Sequence, residues 1–154
     1  MGKIHRYQTT IQWTGNLGTG TAGYQSYARS HSLQSNDKPL IALSSDPAFL
    51  GDPLKYNPEE LLLASLSSCH MLWYLHLCAD NGIVVLEYSD KAEGTMEEGE
   101  EGGRFTGVTL KPVVRLASGE KIELAVSLHK QANKKCFIAN SCNFEVNHEP
   151  RIEY

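Results

Sequence analysis

From Pro58 to Asp80 the chain is almost free of charge. Glu59, Glu60 and Asp80 bound a stretch otherwise made of apolar, small and aromatic residues with two histidines. The stretch opens with a well-formed helix start. Asn57 is a good N-cap, Pro58 suits the first helical position, and Glu60 stands where a capping box closes. Nothing breaks the pattern before Asn81-Gly82, a C-terminal stop. About 24 residues at ~1.5 Å each predict a helix of roughly 36 Å. It is apolar around much of its circumference, so it must be covered on several sides. A second helical pattern starts at Ser118, read as its cap, and runs to about Lys135, with Ile122, Ala125, Leu128, Ala132 and Cys136 near helical spacing.

Around these helices the β-branched and aromatic residues predict strands. One covers residues 3–12, a second about 21–29, and a short third 40–43. A strand over 83–96 returns through Phe105, Val108, Leu110, Val113 and Val114 after the acidic, glycine-rich tip 97–103. Phe144, Val146 and the tail form a last strand. Gly15 to Gly20 lacks the Gly-Lys-Ser/Thr ending of a phosphate loop and reads as a hairpin turn. Residues 44–56 are rich in turn formers. The order of strands, helix, strands, helix, strand predicts one α+β domain over 1–154 built on antiparallel sheets. So small a domain cannot enclose the long helix alone, which argues for a homodimer that packs it from both chains.

Composition narrows the function classes. The chain has 154 residues, is 41% hydrophobic and 21% charged, and carries a net charge of −4; these values suit a globular protein with a real core. No basic stripe is present to neutralise phosphates, so nucleic acid is not an expected partner. There is no run of eighteen apolar residues and no apolar export signal after Met1-Gly2-Lys3. A soluble, cytoplasmic protein that does not enter membranes is expected.

Four cysteines, Cys69, Cys78, Cys136 and Cys142, are present, and no two form a C-x-x-C pair. In a reducing compartment they are thiols by default. Cys69, Trp73, His76 and Asp80 share one helix face, while Cys78 points the other way and reads as core filling. His70 and His76 are six apart, unlike the i, i+4 pair of a helical metal site, so neither a metal nor another cofactor is expected. Cys69 and Cys136 are either inert filling or a reacting pair on two helices, and periodicity alone does not choose between them.

The stretch Asn57-Pro58-Glu59-Glu60-Leu61-Leu62, with a cysteine ten residues past Glu59, resembles the signature of the OsmC/Ohr family, peroxidases that reduce organic hydroperoxides with a cysteine pair. The segment Ala132 to Ser141, with Cys136-Phe137 where the family usually has Cys-Pro, resembles its second motif. The resemblance implies an OsmC-like fold and an intertwined homodimer with shared active sites. It also implies that Cys69 attacks the peroxide, that Cys136 closes a disulfide with it, and that an external dithiol, dihydrolipoyl or thioredoxin-like, reopens the bond. In the family an arginine held by the motif glutamate activates the thiol. Glu59 matches that glutamate, but lies about 15 Å along the helix from Cys69, so it is expected to serve the thiol of the partner chain. The usual arginine position offers only Lys55, and Arg29 is the better candidate because its planar fork can hold a carboxylate. Cys142 ranks behind Cys136 as the resolving thiol. Two other readings are a non-catalytic relative that binds a small apolar ligand and a redox sensor whose disulfide alters partner binding.

Overall fold

The computed structural model describes residues 2–100 and 102–154. It holds two compact units that divide at Leu61, inside the long helix. In the first unit, β1 (Thr10–Trp13), β2 (His31–Gln34) and β3 (Ile41–Leu43) form an antiparallel sheet in that order. Trp13 pairs with His31, and Leu33 with Ile41. The strands expected over 3–12 and 21–29 are therefore shortened and shifted. Tyr24 and Tyr27 do not extend a ladder. Both rings stack on the Arg29 guanidinium, 4.4 and 4.1 Å from it. The Trp13 indole N–H donates to the Ala28 carbonyl at 2.9 Å. Gly15 does not sit in a tight hairpin turn. It begins a longer loop whose limbs meet again at an Asn16–Tyr27 bridge. A Cβ at Gly15 would fall 1.8 Å from the Ala28 carbonyl oxygen, so this approach demands glycine.

Helix α1 spans Pro58–Asp80, as the capping signals predict. The Asn57 side chain accepts from the Glu60 N–H at 2.8 Å, and Glu60 returns the bond by accepting from the Asn57 N–H at 3.0 Å. Leu66, His70, Tyr74, Leu77 and Cys78 form its buried stripe. By length and mean hydropathy α1 could cross a bilayer, yet these residues are spent on a protein core. Helix α2 is Ile122–Lys135 and starts later than expected. The sheet runs on to Leu116, and the Ala117 N–H still bonds the Val84 carbonyl, so Ser118 falls in the exit turn and caps nothing. Lys121 holds the N-cap position without a side-chain cap, and its ammonium donates to the carbonyls of Asn81 and Gly82.

Each remaining long strand of the sequence reading is broken in two. Residues 83–96 yield β4 (Val85–Asp90) and the start of β5 (Glu93–Gly99). The returning strand becomes β6 (Gly102–Leu110) and β7 (Pro112–Leu116), and the last becomes β8 (Glu145–His148) and β9 (Arg151–Glu153). One sheet has the order β4-β7-β9 and the other β5-β6-β8. Within these two sheets the pairs β4–β7 and β5–β6 are antiparallel. β8 and β9 run parallel to β6 and β7, so these two sheets are mixed.

The breaks fall together at one crease. There Asp90 accepts the Lys111 N–H at 2.7 Å and the Ser67 hydroxyl at 2.5 Å. Pro112 and Pro150 stand on the same line, where a missing N–H costs no ladder bond. Each sheet has its own apolar cluster. Tyr74, Leu77, Cys78, Val114, Leu116, Ala125 and Leu128 build the first, and Leu66, Val108 and Leu110 the second. Full burial stabilises each such leucine or valine by roughly 1.5–3 kcal/mol.

Candidate active site

Cys69 sits on α1 between Leu66, which belongs to the second cluster, and Tyr74, which belongs to the first. Cys136 ends α2 as its C-cap, with extended backbone and its N–H on the Asn133 carbonyl. Both cysteines are reduced. Cys69 is half-buried and Cys136 is 1% exposed. The Cys69 side chain lies near enough to Cys136 to act on its thiol. Burial pushes the Cys136 thiol up to about 11, and the Cys69 thiol beside it adds to the rise. The backbone N–H groups of Ala139 and Ile138 act against it, Ala139 donating to Sγ at 3.4 Å. A buried thiol of this kind stays protonated until chemistry reaches it.

Around the pair the surface is apolar and aromatic. Leu72, Trp73 and His76 line a shallow hollow of about 230 Å³, three positions on the Cys69 side of α1. Trp73 packs edge-on against both Phe137 and His76, with centroids 5.7 Å apart in each case. The Lys135 ammonium stands 5.2 Å from the centre of the Trp73 ring. Phe137 is 66% exposed.

The other expected site residues are placed differently. Arg29 donates to the carbonyls of Tyr27 (2.6 Å) and Tyr24 (2.7 Å). Glu59 keeps Oε2 buried with no hydrogen-bond partner. Within the first unit the two do not pair, because both guanidinium arms are held by the tyrosine carbonyls. Lys55 binds Asp52 at 3.3 Å and the Ser30 hydroxyl at 2.9 Å. Cys142 is half-buried, bonds the Ile138 carbonyl and packs in the second cluster. Cys78 is 1% exposed, as core filling should be. No group of three or more metal-ligating side chains converges among the described residues.

One feature escaped the sequence reading. His70 and His129 are both fully buried, with Nε2 of the first 3.0 Å from Nδ1 of the second. His129 stacks on Tyr74 at 3.8 Å, and His148 lies 5.7 Å from His70 between ring centroids. Burial holds His70 down to about 4 and His129 to about 3, with the neighbouring rings adding to both shifts. The signal was available in the sequence, since His129 lies two helical turns before Cys136 on the face of Ala125, Leu128 and Ala132.

Two helices packed with mixed sheets define an α+β protein. The chain belongs to the OsmC-like protein family, whose model matches residues 51–151, and its fold is OsmC-like. An OsmC-like protein of unknown function from Vibrio cholerae is similar at 30% identity, with 96% of this chain and 100% of that chain covered and a TM-score of 0.86. An organic hydroperoxide resistance protein OsmC from Legionella pneumophila is 17% identical, with 99% and 100% covered and a TM-score of 0.70. The organic hydroperoxide resistance protein OhrB of Bacillus subtilis is 20% identical, with 96% and 98% covered and a TM-score of 0.66. The last two likenesses are of fold alone. No curated protein matches this chain.

Proposed function

We propose that the protein is a cytoplasmic thiol peroxidase that reduces organic hydroperoxides and draws electrons from a dithiol. The observation that carries this reading is the closeness of a half-buried thiol on α1, Cys69, to a fully buried one at the end of α2, Cys136. The Cys69 thiolate attacks the terminal peroxide oxygen. The O–O bond breaks, the alcohol leaves with a proton, and Cys69 becomes a sulfenic acid. Cys136 then attacks that sulfur, expels water and closes the Cys69–Cys136 disulfide. A dihydrolipoyl or thioredoxin-like dithiol reopens it by exchange.

The apolar hollow at Leu72 and Trp73, with Phe137 beside Trp73, favours a greasy alkyl hydroperoxide over hydrogen peroxide. The same reading takes the protein as a homodimer with shared sites. The unpartnered Glu59 oxygen suits a cation brought to the other copy's thiol. Arg29 can be that cation only by giving up its tyrosine carbonyls, which makes its release part of assembling the site.

The test is peroxide consumption with a dithiol reductant. Cys69→Ser abolishes turnover, whereas Cys136→Ser consumes one equivalent and stops. Full activity in Cys69→Ser refutes the assignment.

A further inference from the structure

The two sulfurs are not equally open to an external thiol. Cys136 is 1% exposed, seated where α2 ends, and its sulfur receives the Ala139 N–H. Cys69 is half-buried, and its side of α1 carries the hollow of Leu72, Trp73 and His76. Thiol–disulfide exchange proceeds by attack on one sulfur, so the thiolate must reach the sulfur it attacks while the other departs. We infer that the reductant attacks Cys69 alone, so the mixed disulfide forms on Cys69 and Cys136 is the leaving group. This inference rests on the peroxidase reading and fixes the regiochemistry of its reductive half.

The bookkeeping of the step is closed. One sulfur of the external dithiol bonds to Cys69 as the Cys69–Cys136 bond breaks. Cys136 leaves with the electron pair and takes up the proton that the attacking thiol released. The second thiol of the same molecule then attacks the external sulfur of the mixed disulfide. Cys69 leaves, takes up the second proton, and the reductant departs as a disulfide. Two electrons have passed to the protein.

Leaving-group quality works against this direction. Burial raises the Cys136 thiol, and a thiol of higher pKa leaves more slowly. Access decides, because a sulfur that an attacker cannot approach does not react whatever its partner's pKa. The amide N–H groups of Ala139 and Ile138 recover part of the loss by solvating the departing sulfur. They also keep Cys136 at hand to re-form the disulfide if the reductant carries only one thiol. A dithiol escapes that reversal, which gives a physical reason for its use.

The experiment uses the full chain oxidised with diamide, so that disulfide formation does not depend on peroxide chemistry. The oxidised protein meets excess cysteamine for a short time, is quenched with N-ethylmaleimide, and is mapped by peptide mass spectrometry. The expected result is cysteamine on Cys69 and maleimide on Cys136, in clear excess over the reverse pattern. Equal labelling, cysteamine mainly on Cys136, or failure of diamide to link the two cysteines overturns the inference. Treating a second sample with tert-butyl hydroperoxide separates the two claims. If that sample forms no disulfide, the peroxidase reading fails while the diamide sample still reports the attacked sulfur.

Discussion

Lowering the pH from 7 to 5 should destabilise this protein through one pair of rings. His70 and His129 are fully buried, share one hydrogen bond, and leave Nδ1 of the first and Nε2 of the second unpartnered. In the fold they are held down to about 4 and about 3, against 6.5 for a free histidine. The sign follows from linkage. Below pH 6.5 the unfolded chain binds protons that the folded chain refuses, so this stability is present above 6.5 and drains away as pH falls towards 4. At pH 5 each ring costs about 1.5 pH units at about 1.4 kcal/mol per unit, or about 2 kcal/mol, and the pair costs about 4 kcal/mol. A typical domain has only about 5–15 kcal/mol to lose.

His148, also held low by burial and by Lys130, adds to the effect in the same direction. Asp52, Glu87 and Glu93 are held below their ordinary values, so their contribution is lost only at lower pH. The window from pH 6 to pH 5 therefore isolates the histidines. Urea unfolding at steps of pH should give a slope of roughly 2–3 kcal/mol per unit in that window. His129→Phe keeps a ring on Tyr74 and removes one proton-binding site. It lowers stability at pH 8, because it strands the His70 nitrogen at about 1–3 kcal/mol, but it should roughly halve the slope. If the wild-type slope is no steeper than the variant's, the rings are not held uncharged and the reasoning is wrong.

Other expectations are simpler. Asn57→Ala removes one half of the capping box and should cost about 1 kcal/mol, read by urea unfolding at pH 8. Leu66→Ala opens a cavity one turn before Cys69 and should cost about 2–5 kcal/mol, with a slower rate of Cys69–Cys136 disulfide formation under diamide. Stopped-flow oxidation of Cys69 should be faster with tert-butyl hydroperoxide than with hydrogen peroxide, and the reverse order would reject the apolar role given to Leu72 and Trp73.

The helices were legible because their signals are local. Asn57, Pro58 and Glu60 lie within one turn and specify the start of α1 without help from the rest of the chain. The strands were harder to read. Residues 83–96 carry one continuous strand pattern, and the break at Asp90 depends on a side chain holding Ser67 and the Lys111 N–H, partners distant in sequence. Tyr24 and Tyr27 have good strand propensity, but stacking on Arg29 outweighs it. The closeness of Cys69 to Cys136 followed from family resemblance and not from spacing, since α1 and α2 are brought together only by tertiary packing. His129 was passed over for a similar reason. A histidine in an apolar stripe looks like a surface residue until another ring is found against it.

The crease between the sheets has a mechanical consequence. Because each sheet carries its own apolar cluster, α1 rests on two separate supports, one through Leu66 and the other through Tyr74 and Leu77, and Cys69 lies in the span between them. Softening either support would tilt the helix and leave it attached at the other. Sulfurs that must close to about 2 Å to bond tolerate little tilt, so damage to either support could prevent the proposed disulfide in a chain that still folds.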